Sequence, residues 1–167
     1  MHYNSNMADV VGSAPRIKLE RIARRETALQ KRRRDDMWIA ITALIAAMLA
    51  LPLAQSSWHG PEVASVLAVA ATALLAGQRW AVAVIVIAEL LLLPTVWPRA
   101  FLPPGDLSVR LAALGTMITM VPGLLAVRRG AAALVVVSGR RRTRQTCKRF
   151  QYALVAVGLI ATLLPLL

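Results

Sequence analysis

The sequence predicts an all-α integral membrane protein: a polytopic bundle of about five short transmembrane helices, preceded by a basic tail on the cytoplasmic side. Three observations carry this expectation. Of the 167 residues, 57% are hydrophobic, above the roughly 45–50% usual in soluble domains. Charge is segregated: 20 Lys and Arg face 8 Asp and Glu, for a net charge of +12, and nearly all the basic residues lie in two polar stretches. Such blocks make tails and loops rather than core. All four tryptophans stand at the edges of apolar runs, where an indole keeps its ring in an apolar layer and its N–H wet.

Residues 1–36 form the polar tail, which ends in Lys31, Arg32, Arg33, Arg34, Asp35 and Asp36. It is too long and too charged for the n-region of a signal peptide. Leu19, Ile22, Ala23 and Leu29 recur at roughly helical spacing, so 16–34 reads either as an amphipathic helix on the membrane surface or as a solvated helix running into the first span. The transmembrane domain is assigned to 37–167. Its first span, 37–55, has 19 residues without a charge, and at about 1.5 Å per residue it approaches a hydrocarbon core of about 30 Å. Pro52 stands where cleavage after Ala54 would need a small residue, so this segment reads as an uncleaved anchor.

A turn around Trp58, His59, Gly60 and Pro61 leads into the second span, 62–77. Gln78, Arg79 and Trp80 then interrupt before the third, 81–97. A single helix over 62–97 would be about 54 Å long with an arginine at mid-depth, so a tight hairpin is expected. Residues 98–106 hold three prolines and a glycine and read as a loop. The fourth span is 107–127, kinked at Pro122. Residues 130–139 are too few to cross and are expected at the interface. A second basic segment, 140–151, precedes a fifth span at 152–167.

Orientation follows from counting Lys and Arg. Nine lie in 1–36, one in the second turn and eight in 128–149, all on one face under alternating topology, against two around the third loop. The positive-inside rule puts that basic face and the N-terminus in the cytoplasm. The preference for Arg over Lys, 17 against 3, with abundant Ala and Leu, suggests a GC-rich bacterial source and hence the inner membrane.

Close helix packing in lipid needs small residues. Three spans supply them at four-residue steps: Ala46, Ala50 and Ala54; Ala64, Ala68, Thr72 and Ala76; Gly115, Thr119 and Gly123. One ionisable residue lies deep in a span. Glu89 stands eight residues from either end of 81–97 among bulky apolar neighbours. A charge at that depth costs about 2.5–3.5 kcal/mol, so the carboxyl must face the bundle and be protonated or paired, with Thr72, Thr116 and Thr119 as available partners. It is the candidate proton or ion site. Its plainer reading is a neutral acid hydrogen-bonded to a neighbouring helix.

Catalytic groupings are not expected. His2 lies in the tail and His59 in a turn, no carboxylate pair or cysteine cluster completes a site, and Gly130 to Gly139 lacks a phosphate-loop pattern. No metal and no cofactor is expected. Cys147 reads as a free cytosolic thiol or a juxtamembrane acylation site. Arg32, Arg33, Arg34, Arg140, Arg141, Arg142 and Arg144 are candidate contacts for anionic lipid headgroups or an acidic partner, although topology selection alone accounts for them; nucleic acid is not the expected partner. The functional expectation is a non-enzymatic structural, scaffold or assembly subunit of a membrane complex, in contact with other membrane subunits or with copies of itself. The alternative is a proton- or cation-coupled transporter or channel component that uses Glu89.

Overall fold

A computed structural model of the chain describes residues 6–54, 60–102, 106–139 and 143–163, with side chains omitted for 6–25, 54 and 161. The described residues form six helices and no strand: α1 (Asn6–Ala54), α2 (Gly60–Leu75), α3 (Ala81–Phe101), α4 (Leu107–Leu125), α5 (Val127–Val137) and α6 (Arg144–Leu163). They divide into two units, Met1–Asp36 and Met37–Leu167. In the first, the chain is helical from Asn6 onward, so 16–34 is helical as both readings of the tail require, and residues 26–34 are exposed.

The second unit is built around α3. Eleven of its 21 residues are buried, and it packs against α2, α4, α5 and α6. The apolar part of α1 joins the same core through Ile39, Ala40, Ala43, Ala46, Ala47 and Ala50, which recur at three- and four-residue intervals along one helix face. Three helices are long and apolar enough to cross a bilayer, namely α1 in its apolar part, α3 and α4, while α2 is apolar but only 16 residues long.

The expected hairpin between α2 and α3 is present. Gly77 adopts φ +88°; its N–H donates to the Leu74 carbonyl at 2.9 Å and the Gln78 N–H to that of Ala73 at 3.0 Å. This pairing is a Schellman cap, which satisfies two terminal carbonyls and needs a left-handed residue at that position. The Trp80 Nε1–H donates to Gln78 Oε1 at 3.2 Å across the same turn. No atom outside the turn lies within 4 Å of a Cβ built on Gly77, so Gly77→Ala meets only backbone strain. A loss of about 1–2 kcal/mol is expected in detergent unfolding titrations.

Helix boundaries differ from expectation at three places. First, α3 does not stop at Trp97 but continues through Pro98 to Phe101, with the Leu102 N–H bonded to the Pro98 carbonyl at 2.7 Å. Proline normally ends a helix by removing a donor. Here the extra turn is anchored by one buried residue, because Ala100, with Val96 one turn before it, packs with Leu53 of α1 and Ala113 of α4. Second, the helix expected over 107–127 ends two residues early, at Leu125, and after Ala126 alone α5 begins. The N–H groups of Arg129 and Gly130 both donate to the Ala126 carbonyl, at 2.8 and 2.9 Å, which starts the new helix. The 130–139 stretch is therefore mostly helical, with Gly130, Ala131 and Val135 buried. Third, α6 starts at Arg144 and takes the basic residues Lys148 and Arg149 into its first turns. Thr143 caps it: its hydroxyl accepts from the Thr146 N–H at 3.2 Å, and the Thr146 hydroxyl accepts from the Thr143 N–H at 3.0 Å. That reciprocal pattern occupies two otherwise orphaned donors.

On α1 and much of α4 small side chains face inward and bulky ones outward, whereas α3 buries Ile85, Val86 and Leu92. On α1, alanines are buried while Ile41, Ile45, Met48 and Leu51 are exposed; on α4, Ala113, Thr116, Met120 and Gly123 are buried while Leu111, Leu114, Ile118 and Leu125 are exposed. The inward stripe of α2 is Ala64, Leu67, Ala70, Ala71 and Leu74. It corrects the expected ridge, since Thr72 and Ala76 are exposed and Ala68 is half-buried.

Candidate functional site

Glu89 lies in the ninth position of α3 and is completely buried. The helix fixes its place: Ile85 and Val86 lie one turn before it and Leu92 three residues after, all buried. Opposite stands Gly123 in the last turn of α4. A Cβ built there would overlap the Glu89 Cδ and both carboxyl oxygens. Glycine therefore leaves the space that the carboxyl fills. Neither Glu89 oxygen has a hydrogen-bond partner among the described residues.

The hydroxyls expected to meet it are engaged elsewhere. Thr116 is fully buried, but its Oγ1–H donates to the Ala112 carbonyl at 2.8 Å. That of Thr119 lies 3.0 Å from the Gly115 carbonyl and 2.9 Å from that of Thr116. That of Thr72 donates to Val69 at 2.8 Å. Each bonds its own helix one turn back, the local alternative always open to Ser and Thr.

Two more glycines approach the same stretch of α3. Gly130 of α5 faces Val86, whose Cγ2 would be 3.1 Å from an added Cβ, and Gly158 of α6 faces Leu90, whose Cδ2 would be 2.7 Å away. Farther along, the Trp97 Nε1–H donates to the Thr162 carbonyl at 3.1 Å. Gly158 meets Leu90 and Thr162 meets Trp97, so α6 runs parallel to α3. The opposite order of contacts, Gly123 at Glu89 and Ala113 near Ala100, makes α4 antiparallel to it. The sequence carries one signal for Gly123, its place in the Gly115, Thr119, Gly123 series, but nothing that pairs it with Glu89. Gly130 and Gly158 stand in no such series.

Arg32, Arg33 and Arg34 are exposed in the first unit, and Arg144 is exposed at the start of α6. Arg140, Arg141 and Arg142 lie outside the described residues, as do His2 and His59. Cys147 is half-buried and free of disulfide. Among the described residues no three His, Cys, Asp or Glu side chains gather in a metal-binding group.

Chemically, the site offers one enclosed carboxyl. Left neutral and unbonded, a buried polar group costs about 1–3 kcal/mol. Ionised in apolar surroundings it costs far more. The arrangement can hold a proton without any second group. No known protein family, curated protein or solved structure matches this chain.

Proposed function

We propose that this chain is a multi-pass protein of the bacterial inner membrane, with its N-terminus in the cytoplasm, and that it serves as a non-enzymatic structural or assembly subunit of a membrane complex. The observation that supports it is the set of large apolar side chains left exposed on the outer helix faces. Met48 is 72% exposed and Ile118 70%, and such side chains continue along the outer faces of α1, α4 and α6. Soluble monomers rarely leave continuous apolar patches larger than a few hundred Å². Lipid or partner helices are the natural cover, and close alanine and glycine contacts replace the hydrophobic drive that lipid does not supply.

The five spans are the apolar part of α1, then α2, α3, α4 and α6. At 16 residues α2 is about 24 Å long, short of the hydrocarbon thickness. Neighbouring subunits or local thinning would make up the difference. On this topology the basic segments around 32–34 and 140–149 face the cytoplasm, beside anionic headgroups.

A second reading, a proton- or cation-coupled transporter component, draws on Glu89 and its unpartnered oxygens. Purification in mild detergent, with native mass measurement and identification of co-eluting chains, separates the two. A defined larger assembly is expected. The chain isolated alone, or only with copies of itself, and carrying a proton or cation flux that Glu89→Gln abolishes, would overturn the subunit reading.

A further inference from the structure

A methionine or glutamine of similar size would fill the space of Glu89 without a charge to suppress. Its surroundings show what the carboxyl can do. The turn that encloses it lies at a joint: Pro122 has no N–H to donate, Gly123 has no side chain, and Ala126, whose N–H donates back to the Pro122 and Gly123 carbonyls, alone separates α4 from α5. We propose that Glu89 and the last turn of α4 form a proton-binding site, in which the bound proton keeps α3 and α4 in contact and its release parts them at the α4–α5 joint.

This rests on reading α3 and α4 as membrane-embedded helices, but not on transport. The ligand class follows from the donor set. Hard metal cations collect several oxygen ligands, and neither Glu89 oxygen has a hydrogen-bond partner among the described residues. A proton needs only the carboxyl. Most charged and titratable groups on the packed helices are placed toward helix ends: Glu62 on α2, Asp106 and Arg110 at the start of α4, Arg128 and Arg129 on α5, and Arg144, Cys147, Lys148 and Arg149 on α6, where Tyr152 stands ninth; Arg99 lies in the last turn of α3, Arg79 in the turn before α3, and 37–54 of α1 carries none. None of them hydrogen-bonds the carboxyl, so ionisation has no compensating partner in the closed arrangement. On release the O–H bond breaks, its electron pair stays on the carboxylate, and the proton passes to water that enters as the Gly123 turn moves away.

The test uses the full chain in phosphatidylcholine vesicles. Infrared difference spectra should show a protonated-carboxyl carbonyl band that Glu89→Gln removes. Raising the pH should abolish the band and, over the same range, speed amide hydrogen exchange at 120–127 severalfold in the parent chain but not in Glu89→Gln. A band absent at every pH, present in Glu89→Gln, unchanged at every pH at which the chain stays folded, or lost with no change in exchange overturns the proposal. Should Glu89→Gln not fold, dicyclohexylcarbodiimide decides on the parent chain: an adduct on Glu89 at neutral pH that alkaline pH prevents supports the site, and no adduct overturns it. Failure of the membrane reading is distinguishable, since the chain would then not float with the vesicles.

Discussion

Gly123→Ala is expected to destabilise the folded chain by about 1–3 kcal/mol, the usual penalty for forcing a methyl into a filled space. The added Cβ falls on the Glu89 carboxyl itself. A side-chain end can often swing aside, but this one is fully enclosed, and the neighbouring turns of α3 are held by Gly130 against Val86 and by Gly158 against Leu90. A double-mutant cycle with Glu89→Ala isolates the contact. Removing the carboxyl opens room for the methyl, so the pair should be less destabilised than the sum of the single variants, by about 0.5–3 kcal/mol. Unfolding titrations of the four proteins in one detergent give all the terms. A Gly123→Ala chain as stable as the parent, or strictly additive costs, would mean that α3 and α4 do not meet at these two residues.

Ile118→Arg carries the other large effect, and its size depends on what surrounds the protein. Ile118 is 70% exposed near the middle of α4. On a water-facing surface such a change stays within about 0.5 kcal/mol. At the centre of a membrane-spanning helix an arginine costs about 2.5–3.5 kcal/mol, roughly 70- to 370-fold in the insertion equilibrium. Scoring glycosylation of acceptor sites that flank residues 107–125 in an insertion assay, with Ile118→Ala as the near-neutral control, reads this directly. Undiminished insertion of the arginine variant would contradict the placement of α4 in lipid, and with it the support drawn from the outward apolar faces.

The two expectations use different layers of the molecule. The first depends on one contact between α3 and α4. The second depends on which way a whole helix face points, so a chain could satisfy either alone.

Local chemistry makes much of this protein legible in its amino-acid sequence. Apolar stretches with few or no charges mark α1 from Met37 onward, α2, α3 and α4. The Gly77, Gln78, Arg79, Trp80 interruption marks the hairpin, because only a glycine closes a helix cheaply with a positive φ. Glu89 stands out as the lone deep ionisable group, since polarity contrast within an apolar run needs no third dimension to be seen. Tertiary structure decides the rest. Burial of Val96 and Ala100 against Leu53 and Ala113 carries α3 past a proline that local rules read as a stop. The inward face of α2 is only partly marked in the sequence: its polar residues Glu62, Ser65 and Thr72 are all exposed, but the apolar residues between them divide between inside and outside according to the shapes of the neighbouring helices. The surroundings of Glu89 are settled the same way: the threonines bond to carbonyls of their own helix, within reach whatever the fold, and the carboxyl comes to rest where Gly123, 34 positions away in the chain, offers it room.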